Sequence, residues 1–97
     1  MTMRADTLVH CVYILFSHKD EQLYVGFSSA LQQRLATHDS GDVPSTAPRR
    51  PLTPIHVEYY LAEADARRRE QYFKTTKGKR TLKLMLQDTL TLIRQTA

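Results

Sequence analysis

The segment VHCVYILF, residues 9–16, is apolar at both of its alternating sets of positions. This pattern is typical of a central β-strand that is covered on both faces. A polar connector follows at residues 17–21, and the apolar side chains of Leu23, Val25 and Phe27 then alternate with their neighbours. Together the two segments predict a β-hairpin at the centre of the fold.

A helix and a long loop are expected after the hairpin. Ser28 or Ser29 can cap a helix that runs to about His38, and Gly41 suits the left-handed position beyond its end. Residues 42–54 contain all four prolines of the chain. We expect them to form a loop, and loops of this length in small domains are often functional.

The last part of the chain predicts one more strand and two more helices. Residues 55–61 alternate as a third strand, and a helix over roughly residues 63–76 is expected to break near Gly78. An apolar stripe over residues 82–93 predicts a final helix. We therefore predict an α/β (α+β) fold, one small sheet with helices packed on it, in the order β-β-α-β-α-α.

Length and composition limit the class of protein. A chain of 97 residues predicts a single domain, residues 1–97, with its core over about residues 8–95. The one cysteine, Cys11, excludes an intrachain disulfide framework and a cysteine-rich zinc module. No apolar run approaches the ~20 residues that cross a bilayer, and the N-terminus lacks the apolar segment of a secretory signal. We expect a cytoplasmic protein without a membrane partner.

Charge is distributed unevenly along the chain. Residues 1–66 carry a net charge of −3 and residues 67–97 carry +7, which together give the +4 of the whole chain. Such a basic segment attracts polyanions through phosphate neutralisation and counterion release, although a solvated helix face is an equally good explanation. The side chains that carry most of the excess are Arg67, Arg68, Arg69, Lys74, Lys77, Lys79, Arg80 and Lys83.

Glu70 is an acidic residue on a predicted buried stripe. Its spacing from Ala66 and Phe73 puts the three residues on one side of a helix. A carboxylate that faces a sheet needs a cation, a metal ion or strong hydrogen bonds. A helical ion pair with Lys74 is the simpler alternative, and the spacing leaves both possibilities open.

Two further pairs of residues carry chemistry that the spacing alone does not settle. Arg34 and His38 stand four residues apart, so they either form a plain helix flank or present a phosphate clamp beside an imidazole. Tyr13 and Tyr24 point the same way if the hairpin pairs them with each other. Packing is the ordinary role of strand tyrosines, but two buried phenols on one face can line a polar site.

The order of these residues resembles the GIY-YIG endonuclease superfamily, and within it the small single-domain members similar to the N-terminal nuclease domain of the bacterial excinuclease. The resemblance runs from about Cys11 to Leu86. It implies a three-stranded antiparallel sheet flanked by helices and the hydrolysis of phosphodiester bonds with one divalent ion, Mg²⁺ or Mn²⁺. The segments that carry it are VYI at 12–14, YVG at 24–26, LQQRLATH at 31–38 and REQYFK at 69–74.

The resemblance also implies roles for individual residues. Tyr13 and Tyr24 match the two signature tyrosines, one of which helps to activate the attacking water. Arg34 matches the phosphate-binding arginine, His38 a histidine near the water, and Glu70 the metal-binding glutamate. We expect all five side chains to converge on one concave surface. Because an ordinary phenol is a poor base at neutral pH, we also expect Arg34 and the metal to lower the pKa of the activating tyrosine.

The implied function is a metal-dependent DNA endonuclease of repair or recombination, structure-selective or weakly sequence-specific, with branched or flapped DNA as candidate substrates. The first signature begins with Cys11 instead of glycine, and the chain has no asparagine to match the late asparagine of many members. A catalytically silent nucleic-acid-binding module of the same fold is the alternative. The residues expected to contact DNA phosphates are Arg49, Arg50, Arg67, Arg68, Lys74, Lys77, Lys79, Arg80 and Lys83.

Overall fold

A three-stranded antiparallel sheet with four α-helices packed on it makes up residues 2–96, the part of the chain that the computed structural model describes. The predicted α+β class is confirmed, with one helix more than expected. In chain order the elements are β1 (His10–Ser17), β2 (Leu23–Ser28), α1 (Leu31–Asp39), a 3-10 helix (Ala47–Arg49), β3 (Leu52–Tyr60), α2 (Glu63–Phe73), α3 (Thr76–Met85) and α4 (Gln87–Thr96).

The central strand is β1, as predicted, and the sheet order is β2-β1-β3. The expected pairing of Tyr13 with Tyr24 is wrong, because Tyr13 lies opposite Gly26 and Tyr24 lies opposite Leu15. The turn decides this register, because the Ser17 backbone N–H bonds the Gln22 carbonyl at 3.1 Å. The β2 partner of each β1 residue therefore lies two positions further along the chain than expected. Since side chains alternate with a period of two, both tyrosines still lie on the same face.

Each face of β1 packs against different helices. On one face Val12, Ile14 and Phe16 join a core with apolar residues of α2, α3 and α4, among them Ala66 and Phe73. The opposite face carries the other set of alternating residues. They pack against α1 and against side chains of the neighbouring strands β2 and β3. That smaller core contains Cys11, Tyr13 and Leu15, with Tyr24, Leu31, Leu35, Leu52 and Val57 packed around them.

The ends of the first helix differ in part from the expectation. Neither serine caps α1, which has Ala30 at its N-cap; Ser28 Oγ instead accepts a hydrogen bond from the Ala30 N–H at 2.9 Å. Ser29 Oγ bonds His10 Nδ1 at 2.8 Å. At the other end Gly41 adopts a φ of +83°, which confirms the left-handed position predicted for it.

The third strand and the second helix have other bounds than predicted. Strand β3 begins at Leu52 and accommodates Pro54 at a register shift opposite Ile14 and Leu15, where the pairing of the two strands is irregular. Helix α2 ends at Phe73, so the expected end at about residue 76 is wrong.

The predicted break at Gly78 is also wrong. The chain leaves the helix at residues 74–75, and Thr75 caps α3 by accepting from the Gly78 N–H at 3.0 Å. Gly78 lies inside α3, where a Cβ would stand 1.8 Å from the Tyr72 carbonyl oxygen. The glycine is therefore needed for close packing between α2 and α3.

The single last helix of the prediction is divided at Leu86 into α3 and α4. The backbone N–H groups of Leu86 and Leu90 still bond the carbonyls four residues earlier, at 2.9 and 2.8 Å. The apolar stripe therefore continues through the bend, which explains why its periodicity predicted one helix. Among residues 2–96, no helix combines the length and the apolar character that a membrane span requires.

Candidate active site

A buried hydrogen-bonded cluster joins β1 to α1. Tyr13 is fully buried, and its hydroxyl lies 2.8 Å from His38 Nε2 and 3.2 Å from Arg34 Nε, which donates to it. The two partners come from one side of α1 because they are four residues apart, as the spacing predicted. The cluster lies between the sheet and α1, on the face of the sheet that α1 covers.

His38 extends this cluster into the loop that follows α1. The imidazole is buried, and its Nδ1 lies 2.7 Å from the hydroxyl oxygen of Thr46, which is also buried. Sequence reasoning missed Thr46 as a member of the cluster. The only signal for it was the length and the proline content of its loop.

Tyr24 borders the same cluster from β2. Its ring centroid lies 5.2 Å from that of His38, edge to face, and 6.4 Å from that of Tyr13. Unlike Tyr13, it is only half-buried, and so is Arg34. The structure thus divides the two signature tyrosines into an interior one and one at the solvent boundary.

The electrostatics of the cluster follow from burial and from Arg34. Burial raises the pKa of Tyr13. Arg34 lowers it, as expected, but its hydrogen bond offsets only part of the increase, so the pKa of Tyr13 stays above its usual value. Burial and the neighbouring guanidinium lower the pKa of His38, so its ring is neutral at pH 7. The hydrogen bond to Tyr13, with a smaller contribution from Tyr24, raises the pKa of Arg34.

Glu70 lies on α2 and therefore belongs to the helix layer on the other face of the sheet. Its carboxylate is nearly buried, and Oε2 accepts from Lys74 Nζ at 3.0 Å. The helical ion pair with Lys74, which the spacing left open as the alternative, is thus present. Within residues 2–96, Glu70 forms no hydrogen bond or ion pair with the tyrosine–histidine cluster, and Lys74 is its single side-chain partner.

The edge strand β2 separates the two groups. The Tyr13 ring lies against Gly26 on one face of β2, and the Arg67 guanidinium of α2 lies 3.8 Å from the centroid of the Phe27 ring on the other face. Because Glu70 follows Arg67 by three residues, both project from the same side of α2. A surface that includes all five expected residues therefore has to pass around β2.

The donor set at Glu70 suits a hard divalent cation. Its Oε1 has no hydrogen-bond partner. In the described part of the chain, every side-chain oxygen or nitrogen that lacks a partner is accessible to solvent, so Oε1 is open to water. Over the same residues there is no group of three or more His, Cys, Asp and Glu side chains arranged to hold a metal ion. Mg²⁺ fits a single carboxylate of this kind, since it retains several waters and binds substrate phosphate oxygens.

The expected DNA-contacting residues divide into two sets by their partners. Lys77, Lys79, Arg80 and Lys83 lie exposed on α3, and none of them forms an ion pair within residues 2–96. In the other set, Arg49 pairs with Asp20 at 2.9 Å and Arg50 donates to the carbonyls of Asp39 and Ala47. On α2, the acidic partners are Glu63 for Arg67, Asp65 for Arg68 and Glu70 for Lys74.

A cavity of about 430 Å³ lies between β2 and helices α3 and α4. The buried Leu82 and Leu90 and the exposed Lys79 and Lys83 are among the residues that line it. Two of the four unpaired cations therefore face the β2 side of the molecule, whereas Lys77 and Arg80 do not line this cavity.

Comparisons with known proteins show to which family the chain is similar. A profile of the GIY-YIG catalytic domain matches residues 9–83. A UPF0213 protein of Staphylococcus haemolyticus is 35% identical over 77 residues, which cover 78% of this chain and 93% of that protein. A UPF0213 protein of Natronomonas pharaonis is 32% identical over 81 residues, 82% of this chain and 94% of the relative. The solution NMR structure of a UPF0213 protein from Bacillus halodurans superposes with a TM-score of 0.50 at 28% identity, covering 78% of this chain and 83% of that one.

Proposed function

This chain belongs to the GIY-YIG family, and on that basis we propose that it is a divalent-metal-dependent endonuclease that hydrolyses DNA phosphodiester bonds. The observation that carries the proposal is Arg34. Its guanidinium is half-buried, is held by the Tyr13 hydroxyl and forms no ion pair in the described part of the chain. A partly desolvated guanidinium without a carboxylate partner is available to an anion, and phosphate, like carboxylate, is bound by a guanidinium in bidentate fashion.

Tyr24 is the phenol that we assign to the attacking water. Tyr13 is fully buried and uses its hydroxyl on His38 and Arg34, so it has neither access to water nor a spare proton position. Tyr24 is half-buried beside the same arginine and histidine. A phosphate bound by Arg34 would therefore lie closer to the accessible Tyr24 hydroxyl than to that of Tyr13. The Tyr24 hydroxyl can orient a water molecule by hydrogen bonding.

Glu70 is the residue that we assign to the metal ion. When bound, a divalent cation supplies electrostatic stabilisation for charge on the phosphate and on the leaving oxygen. Glu70 would hold it through Oε1 while Lys74 keeps Oε2 in place. The scissile phosphate would then lie at the β2 edge, with Arg34 and Tyr24 on one side and Glu70 on the other.

The unpaired cations of α3 are the strongest candidates for contacts with the DNA backbone. An unpaired lysine or arginine neutralises a phosphate without first breaking an intramolecular ion pair. Lys79 and Lys83 stand on the β2 side of α3, which leads toward the proposed cleavage site. We expect smaller contributions from Arg49, Arg50, Arg67, Arg68 and Lys74, which have intramolecular partners.

Backbone contacts of this kind recognise shape and charge more than base sequence. We therefore propose structure-selective or weakly sequence-specific cleavage, with branched or flapped DNA as substrates and repair or recombination in the cytoplasm as the setting. One observation favours the silent binding module instead: Glu70 already has Lys74 as a partner, as a purely structural glutamate would.

A cleavage panel tests the proposal. End-labelled flapped, branched and plain duplex DNA are incubated with the protein in Mg²⁺, in Mn²⁺ or in EDTA. We expect cleavage in either metal and none in EDTA. Arg34→Ala should lose cleavage, whereas Arg4→Ala, which removes an exposed ion-paired arginine outside the proposed site and DNA path, should retain it. DNA binding without cleavage in either metal would establish the silent module.

A further inference from the structure

The donor-only chemistry of Arg34 sets the direction of a chain of hydrogen bonds. A guanidinium has no acceptor, so Arg34 Nε donates to Tyr13 Oη across 3.2 Å. Tyr13 then places its own proton toward its other partner, His38 Nε2 at 2.8 Å. Because His38 Nε2 accepts, the neutral ring carries its proton on Nδ1. That proton points at Thr46 Oγ1, 2.7 Å away.

The opposite direction leaves one buried group without a partner. If His38 Nε2 carried the proton, Tyr13 Oη would accept from both His38 and Arg34. Its own proton would then have no acceptor among residues 2–96. A buried hydroxyl without an acceptor is destabilising, because nothing compensates for the loss of its hydrogen bond to water. In the first direction every group is satisfied, since Thr46 in turn has the Val43 carbonyl oxygen at 3.5 Å.

We propose that Thr46 is a positioning residue of the active site, which holds His38 in the Nδ1–H tautomer and thereby keeps Tyr13 as a hydrogen-bond acceptor for Arg34. This inference rests on the proposed function for its consequence in catalysis, but its structural content does not depend on cleavage. Among the site residues, Thr46 forms a hydrogen bond only with the imidazole of His38. It acts on the phosphate-binding arginine through two intervening side chains.

The loop that carries Thr46 is fixed from several sides. The Thr46 N–H bonds the Val43 carbonyl at 3.0 Å, and Ser17 Oγ donates to the Arg49 carbonyl at 2.6 Å. Arg50 ties the loop to the end of α1 through the Asp39 carbonyl at 3.1 Å. The proline-rich loop thus places the Thr46 hydroxyl at a defined point beside His38, which a mobile loop would not do.

If Thr46 could not accept, the Nδ1–H of His38 would be a buried donor without an acceptor, so each direction of the chain would leave one donor unsatisfied. The preference for Nδ1–H would be lost, and part of the His38 rings would carry the proton on Nε2. In that form the Tyr13 proton, which has no acceptor, would lie close to the Arg34 N–H and weaken its hydrogen bond to Oη. Arg34 would then present its charge to a phosphate in a less defined orientation.

The experiment compares Thr46→Val with Thr46→Ser. Valine has nearly the shape of threonine but accepts no hydrogen bond, whereas serine retains the hydroxyl. The readout is the ¹⁵N NMR spectrum of the imidazole of His38, assigned through its sequentially assigned backbone. We expect the Nδ1–H tautomer in the wild type and in Thr46→Ser, and a shift toward the Nε2–H tautomer in Thr46→Val.

Two results would overturn the proposal: an Nε2–H tautomer in the wild type, which requires no variant to fold, or an unchanged tautomer in folded Thr46→Val. Cleavage is measured in parallel. By analogy with other outer-layer partners of site residues, Thr46→Val should lose about 10-fold to 100-fold in cleavage rate, with Thr46→Ser close to wild type. The expected tautomers in a protein that cleaves no DNA would refute the proposed function and leave this inference standing.

Discussion

The ring of Tyr13 lies directly against the backbone of Gly26, its partner across the β1–β2 pair. A Cβ at position 26 would stand 2.2 Å from Tyr13 Cζ and 2.3 Å from its hydroxyl oxygen. The absence of a side chain in β2 is therefore what gives the buried phenol its place. From there the hydroxyl reaches both His38 and Arg34.

Gly26→Ala should displace the Tyr13 ring and break its hydrogen bonds. The ring is buried and anchored, so it cannot move away freely, and we expect a loss of roughly 1–3 kcal/mol in the free energy of unfolding. Thermal and denaturant unfolding measure the loss. The double variant Gly26→Ala/Tyr13→Leu should lose less stability than the sum of the losses in the two single variants. Strict additivity would show that the two positions do not interact.

The two tyrosines should respond differently to removal of their hydroxyls. Tyr24→Phe should lower kcat by about 10²-fold or more with little change in stability, because its hydroxyl acts on water at the solvent boundary. Tyr13→Phe leaves His38 and Arg34 without a buried partner and should cost roughly 1–3 kcal/mol of stability. Cleavage kinetics and unfolding of both variants decide the assignment. The reverse pattern would make Tyr13 the residue that contacts water.

Glu70→Gln should abolish cleavage while fold and DNA affinity are retained. The amide keeps the size of the side chain but lacks the charge that holds a hard divalent cation, so a stabilisation of several kcal/mol at the phosphate disappears. Lys74→Gln is the matched control, since it breaks the same ion pair from the other side. We expect Lys74→Gln to cleave. Equal behaviour of the two variants would reduce Glu70 to a structural role.

The unpaired lysines of α3 should control the salt dependence of DNA binding. Replacing Lys79 and Lys83 by glutamine should reduce the slope of log affinity against log salt by about 2, because each removes about one phosphate contact. Replacing the ion-paired Arg67 and Arg68 should change the slope less per residue. DNA affinities measured over a several-fold range of salt concentration provide the test. An unchanged slope in the lysine variant would show that DNA does not bind along the β2 side of α3.

Glu58 should make stability depend on pH in the acid range. Burial alone would raise its pKa, but hydrogen bonds from Arg69, His56 and Tyr60 together lower it from 4.5 to about 2. The stabilisation is therefore complete above the unfolded pKa and disappears as the pH falls from about 5 to about 2. The shift corresponds to about 3 kcal/mol, which solvent screening at this half-buried position reduces to about 1–2 kcal/mol.

Glu58→Gln should accordingly lower the free energy of unfolding by about 1–2 kcal/mol at pH 7, and the difference from wild type should shrink toward pH 2. Glu63→Gln serves as the control, because its ion pair with Arg67 is exposed and 3.4 Å long. Denaturant titrations at several pH values give both curves. A difference that persists unchanged at pH 2 would contradict the low pKa of Glu58.

Local pattern was sufficient for the strands and for the class of the fold. The alternation of residues 9–16 on both sets predicted a central strand, and it is the middle strand of the sheet. The spacing of Arg34 and His38 predicted a shared helix side, and both contact Tyr13. These features depend on periods of two and of 3.6 residues, which are visible in the chain itself.

The tertiary structure alone decided the register and the division of the site. A period of two is unchanged when a hairpin shifts by two residues, so only the closure at Ser17 and Gln22 could place Tyr13 opposite Gly26. Burial of Tyr13 depends on α1, and the partner of His38 is Thr46, in a loop that has no period of its own. The sequence thus determined which residues are able to form the site, whereas long-range packing decided which phenol faces water.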